Sequence, residues 1–323
     1  MLKDFEEPLV QWFLDMREAG VPVHIRHVVL RAQQLNPAFG EKTEEQKYAI
    51  ARRLLIRNCI VLRATTRMSQ RHPQEVADEA RAFTVFAKAL FSTAPYERAM
   101  VFNMDQTGVF FSMSPRTTLN MVGARTVHCV SSTKGPVRCS VSLCISGGGA
   151  KLKPMVTFKG RPNGDIAIRQ LPTFPMRENM ELNCQDNAWV DKATMIKWID
   201  RVLAPYLQEN AAGRSPILVL DSYKVHLMDS IKTRIEALGV RLEYVPPGCT
   251  CLAQPVDVGI GRPFKTNLTR LWNAWILNRG DDFAMTHPPS RELLTTWINQ
   301  AWEEISEETV QNAWRKDGYK FFD

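Results

Sequence analysis

Over the first ninety or so residues, hydrophobic positions recur with a helical period. Leu9, Trp12, Phe13 and Met16 fall on one face of a first helix, which Gly20 and Pro22 close. Val28, Val29, Ala32 and Leu35 mark a second helix over about 24–35, broken by Asn36, Pro37 and Gly40. Thr43, with Gln46 three residues on, has the form of a capping box and opens a third helix. That helix carries Tyr48, Ile50, Ala51, Leu54 and Leu55. A linking helix over about 80–98 is expected to turn Ala82, Phe83, Phe86 and Leu90 inward.

From about residue 99 the period changes to that of strands. Met100–Met104 is an apolar run ending on Asp105, and Gly108–Met113 reads as its partner strand. Val137–Ile145 alternates, Gly147–Gly149 turns the chain, and Lys153–Lys159 reads as another strand. The triple glycine lacks the Gly-Lys-Ser/Thr ending of a phosphate-binding loop, so a hairpin turn is its reading. Residues 160–190, rich in Pro, Asn, Gly and charge, read as loop, and Asp191–Gln208 as a helix. Pro216–Leu220 is short and wholly apolar, as a central strand buried on both faces requires, and Asp221 stands at its end. A helix over about 227–238 and the strand Val240–Val245 follow, closed by Pro246, Pro247 and Gly248. Asp257 then leads into a helix through Phe264, Leu268, Leu271 and Trp275. The whole reads as an all-α segment followed by an α/β region.

Composition narrows this little. The net charge of +7 favours a polyanionic partner, though a mildly basic soluble protein fits it equally well. The seven cysteines form no Cys-x-x-Cys pair, which argues against structural zinc and for a reduced compartment. The first residues lack the apolar core of a secretory signal, and no apolar run is long enough for a membrane span. Charge is lopsided in one place: from Lys47 to Arg71 the chain carries Lys47, Arg52, Arg53, Arg57, Arg63, Arg67 and Arg71 and no acid. Such a segment either contacts nucleic-acid phosphates or is a solvated basic face.

The chemistry rests on Asp105, Asp221 and Asp257, each placed where a hydrophobic run meets a turn or helix. Singly, each fits a helix cap or a turn residue. Together, in a basic protein, they point to divalent metal ions and a phosphodiester substrate. His226, five residues after Asp221, either reaches this site or packs as a capping histidine. Lys265 and Arg262 are candidates for phosphate contact. Trp272, Trp275, Trp297 and Trp302 lie at near-helical spacing and read as core.

Three stretches occur in order: Asn103-Met-Asp-Gln-Thr-Gly108, Asp221-Ser-Tyr-Lys-Val-His226, and Gln254-Pro-Val-Asp-Val-Gly259 followed by Pro263-Phe-Lys265. With the Pro246-Pro-Gly-Cys-Thr250 turn, and 35 residues between Asp221 and Asp257, they resemble the pogo/Tigger branch of the DDE superfamily of transposases. Residues 310–319 resemble that family's closing helix, and 48–67 its second helix-turn-helix, as in centromere protein B.

The resemblance implies an RNase H-like fold: a mixed five-stranded sheet with flanking helices, preceded by an all-α helix-turn-helix-like domain. Asp105 would lie on the first strand, Asp221 just after the fourth, and Asp257 beyond the fifth. Implied domains are a helix-turn-helix-like DNA-binding domain at 1–72, a helical linker at 73–98 and a catalytic domain at 99–323. The family usually carries two helix-turn-helix units and this chain has room for one, so a truncated amino terminus is expected. The implied cofactor is a pair of Mg²⁺ or Mn²⁺ ions, with Asp105 bridging both and Asp221 and Asp257 each holding one. The implied partner is double-stranded DNA, as transposon ends and target, contacted by Lys47, Arg52, Arg53, Arg57, Arg63, Arg67 and Lys265. A homodimer and a nuclear location follow from that role. One departure stands out: the family usually has an acid directly after the first aspartate, and here it is Gln106. A decayed or host-adopted DNA-binding relative without catalysis is therefore one alternative, and a nuclease of RNase H type acting on other nucleic acids is another.

Overall fold

In the computed structural model, residues 5–63, 71–93, 96–113, 120, 122, 126, 137–278, 288–315 and 321–322 are described. The chain divides into two compact units, Met1–Val76 and Ala77–Asp323.

The first unit is helical: α1 (Glu6–Glu18), α2 (Ile25–Leu35), a single turn α3 (Pro37–Gly40) and α4 (Glu44–Arg57). They enclose a small core of Phe5, Leu9, Val28, Val29, Ala32, Phe39, Ala51 and Leu54. The capping box is present: Gln46 N donates to Thr43 Oγ1 at 3.3 Å, and Thr43 N to Gln46 Oε1 at 3.2 Å. Glu6 pairs with Arg57 and accepts from Asn58, fastening the end of α4 to the start of α1.

Helix α5 (Pro73–Phe91) starts earlier than the expected 80 because Pro73 opens it, at a position where proline's missing N–H costs nothing. Its inward stripe is Val76, Ala80, Phe83, Ala87 and Phe91, while Phe86 is exposed. Phe83 and Phe91 pack on Phe321, and Phe91 also meets Trp314 and Phe322.

Six strands form one sheet in the order β4-β3-β2-β1-β5-β6. They are β1 (Val101–Phe110), β2 (Arg138–Ser146), β3 (Met155–Lys159), β4 (Glu181–Gln185), β5 (Ile217–Asp221) and β6 (Arg241–Val245). β1 pairs antiparallel with β2 along its whole length and parallel with β5. Three expectations change here: the sheet has six strands and not five, because β4 adds one in the segment read as loop. Val101–Phe110 is one continuous strand, so Gly108 and its neighbours extend β1 and do not form a partner strand. The segment read as loop contains β4, a polar edge strand paired in parallel with β3. Lys197 holds it from the adjoining helix, bonding Leu182 O at 2.8 Å and Glu181 Oε1 at 3.0 Å. Tertiary contacts, not its own pattern, make that segment a strand.

The sheet is flanked by the helical stretch α6 (Lys192–Trp198), a π-helical turn (Ile199–Leu203) and α7 (Ala204–Asn210), and by α8 (Asp229–Glu236). After the single turn α9 (Thr250–Ala253), a π-helical turn (Val256–Ile260) runs into α10 (Gly261–Leu277), and α11 (Arg291–Glu303) and α12 (Glu307–Trp314) close the unit. Even-numbered residues of β1 and β5, among them Phe102, Met104, Leu218 and Leu220, face a core with Trp198, Ile199, Ile231 and Ile235. The odd-numbered face is left for the π-helical turn and α10. No helix among the described residues is long and apolar enough to cross a membrane.

Candidate active site

Three elements bring the aspartates to one end of the sheet. The parallel register pairs Asn103 with Val219, so two residues on along each strand Asp105 and Asp221 stand side by side on one face. Asp105 lies inside β1 opposite Leu143, and Asp221 is the last residue of β5, the sixth-chain-order neighbour β6 meeting it at Val245. Ser222 locks that end by donating from Oγ to Val245 O at 2.7 Å. The turn after β6 is set by Gly248 at φ 82°, where Cys249 N closes on Pro246 O at 3.0 Å. It leads to Asp257, the second residue of the π-helical turn. Gly259 belongs to the same turn and is there because α12 passes so close: a Cβ would lie 2.6 Å from Ala313 Cα.

Asp105 and Asp257 line the same cleft. The Asp105 carboxyl is held well above the usual carboxylate range, first by burial, then by the Asp257 charge and hydrogen bond, with a smaller push from Asp221.

Asp221 is fixed from the other side. Its Oδ1 lies 2.6 Å from His226 Nδ1, and the ring is 1% exposed. The other ring nitrogen lies 3.3 Å from the Gln106 amide nitrogen. An amide N–H donates, which leaves His226 Nε2 as acceptor and its Nδ1–H donating to Asp221. Gln106, at the position where the resembled family carries an acid, therefore sets the orientation of His226. Tyr244 Oη donates to the His226 carbonyl at 3.1 Å.

An open cleft of about 870 Å³ extends from Asp105, Thr107 and Asp257 along the exposed face of α10, past Arg262, Lys265, Thr269 and Asn273. Arg270, also on its wall, is bound by the Glu304 carboxylate. Among the described residues, Arg262 and Lys265 have no ion-pair partner. No group of three or more His, Cys, Asp or Glu side chains among the described residues is set as a ready metal cage.

The other basic residues differ in how far they reach solvent. Lys47 is a correction: it is buried and paired with Glu44 at 3.0 Å, so it does not present its charge for a phosphate. Arg52, Arg53 and Arg63 are exposed, Arg57 is exposed but paired with Glu6, and Arg67 lies outside the described residues. Trp272, Trp297 and Trp302 are buried, and Trp275 packs edge-on against Trp297.

A mixed sheet with an aspartate inside its first strand, another at the end of the neighbouring parallel strand and a third on the following helix defines an RNase H-like α/β fold. The chain belongs to the DDE superfamily endonuclease family, whose sequence model matches residues 137–314. The Mus musculus protein "Pogo transposable element with KRAB domain" is 22% identical over 320 residues, covering 96% of this chain and 51% of that protein. The Homo sapiens "Jerky protein homolog" is 23% identical, covering 98% of this chain and 54% of that protein. The chain thus spans about half the length of these curated relatives. In fold it is similar to the Mos1 mariner transposase in a paired-end complex with Mn, at a TM-score of 0.59 and 10% identity, over 98% of this chain and 76% of that one. A pre-cleavage Mos1 transpososome gives a TM-score of 0.56 at 9% identity, over 90% of this chain and 71% of that one.

Proposed function

We propose that this chain is a transposon-derived, divalent-metal-dependent DNA endonuclease, with Asp105, Asp221 and Asp257 as its metal-binding and catalytic carboxylates. The observation that carries the reading is the convergence of three aspartates from three elements: Asp105 and Asp221 at matching positions of paired parallel strands, and Asp257 lining the same cleft as Asp105. The donor set fits Mg²⁺ or Mn²⁺: hard carboxylate oxygens, few per ion, leaving room for water and phosphate. Asp105, Asp221 and Asp257 would together hold such ions. When bound, the ions supply charge stabilisation for the in-line displacement at phosphorus.

The chain's own residues do the rest. His226 and Gln106 hold Asp221 in place, and burial keeps Asp105 from turning away. Arg262 and Lys265 bring the DNA backbone along α10 to the carboxylates. In the first reaction water attacks phosphorus, the P–O3′ bond breaks and a 3′-OH is freed. In strand transfer that 3′-OH attacks a target phosphodiester and displaces its 3′ oxygen. Residues 1–72 act as a helix-turn-helix-like DNA-binding domain through Arg52, Arg53, Arg57, Arg63 and Arg67, residues 73–98 as a linker, and 99–323 as the catalytic domain. Action at two transposon ends calls for a homodimer, and a DNA substrate for the nucleus.

A second reading, a DNA- or chromatin-binding relative without catalysis, draws on Gln106 and on the close hold of His226 on Asp221. A plasmid-nicking assay with Mg²⁺ or Mn²⁺ separates the two. Metal-dependent nicking that disappears in Asp221→Ala supports the endonuclease. DNA binding without nicking by either protein supports the second reading.

A further inference from the structure

Asn103 is fully buried on β1, two residues before Asp105 and on the same face of the strand. Its side-chain Nδ2 donates to Val219 O at 3.0 Å, two residues before Asp221. Its Oδ1 accepts from Val256 N at 2.9 Å, one residue before Asp257. One planar amide, two residues before Asp105 on β1, therefore bonds the backbone beside each of the other two aspartates, on two further elements.

We infer that Asn103 is the positioning residue that sets the three carboxylates relative to one another; this rests on the metal-site reading of those aspartates. The Val256 N–H stands at the start of a helix, where backbone donors have no partner within the helix. The preceding residue is Pro255, and no side chain of the helix itself caps this end. Asn103 supplies the cap from the sheet and so fixes where the turn carrying Asp257 sits over β1. The donor half pins β5 to β1 at the paired residues Asn103 and Val219, which settles how far along β5 Asp221 stands. A donor and an acceptor at this length and in this fork are what asparagine offers. Aspartate lacks the donor, leucine lacks both, and serine is too short to span the two partners. A buried amide with either half unmet is costly, so the two bonds hold together or fail together.

The test is Mn²⁺ binding, measured by electron paramagnetic resonance, together with nicking kinetics, on the full chain, Asn103→Leu and Asp105→Asn. Asn103→Leu keeps the γ-branched shape and removes both bonds. It is expected to weaken Mn²⁺ binding by about 10–100-fold, as loss of a group supporting metal ligands does, and to lower kcat while KM for DNA stays unchanged. Ser140→Ala loses the 2.6 Å bond to Ala188 O away from the carboxylates and is expected to lower stability alone. Asn103→Ser replaces Asn103→Leu if the leucine prevents folding, with the same weakening expected. A folded Asn103 variant with parental Mn²⁺ affinity and kcat, beside an Asp105→Asn chain that has lost Mn²⁺, overturns the positioning role alone. A parent chain that binds no Mn²⁺ overturns the metal-site reading and this role with it.

Discussion

Replacing Asp105 by asparagine should make the metal-free chain more stable at neutral pH. The side chain keeps its shape, while the charge that burial and the neighbouring Asp257 and Asp221 carboxylates oppose is removed. As a general scale, two like unit charges roughly 4 Å apart repel by about 4 kcal/mol at an effective dielectric near 20. Asp257 is exposed, so solvent screens much of this, and a gain of about 1–2 kcal/mol is the reasonable share. For a domain of about 250 residues that corresponds to a rise in Tm of roughly 2–8 °C. The pH dependence follows from the direction of the shift. The folded chain holds the Asp105 proton above the pH, about 4, at which the unfolded chain releases it. Stability therefore falls as pH rises from that ordinary carboxylate value through the raised folded value, and the loss is complete above it. Below pH about 4 both states are protonated and the substitution should gain nothing. Thermal unfolding of both proteins in a chelating buffer, at pH 4 and pH 8, decides it. Equal or lower stability of Asp105→Asn at pH 8 would refute the claim that burial and the neighbouring carboxylates oppose the Asp105 charge.

Other predictions rest on single contacts. Gly259→Ala forces α12 or the π-helical turn to shift, since the obstacle includes the Ala313 backbone, and should cost about 3 kcal/mol in urea unfolding; an unchanged midpoint would mean the two helices separate freely. Lys151 Nζ bonds the carbonyls of Trp302, Glu303 and Ile305 at 2.6, 3.1 and 2.7 Å, closing the end of α11, so Lys151→Met should cost about 1–3 kcal/mol by the same assay. If Arg262 and Lys265 each meet a phosphate, their joint replacement by alanine should lower the slope of log binding constant against log salt by about 2, in fluorescence anisotropy with duplex DNA. An unaltered slope would move the DNA path off α10.

The parts legible in the sequence were those set by local chemistry. Thr43 and Gln46 form their capping box because both partners lie within one turn. The apolar run before Asp221 becomes a buried central strand because nothing in it tolerates water. What escaped reading depends on distant partners. Glu181–Gln185 has no strand pattern of its own and is held by Lys197 and by β3. Lys47 belongs by spacing to a basic run, yet packing buries it beside Glu44. Asn103 lay in plain view two residues before Asp105, but its importance appears only when Val219 and Val256, 116 and 153 residues away, arrive on its two ends. A polar amide inside an apolar strand, on the same face as a candidate ligand, was the available signal.

The most direct measurement is a titration of Mn²⁺ by electron paramagnetic resonance against the parent chain and Asp105→Asn, Asp221→Asn and Asp257→Asn. The account predicts about two ions per parent chain, both lost with Asp105 and one lost with each of the others. Mn²⁺ binding left unchanged by all three substitutions would contradict it.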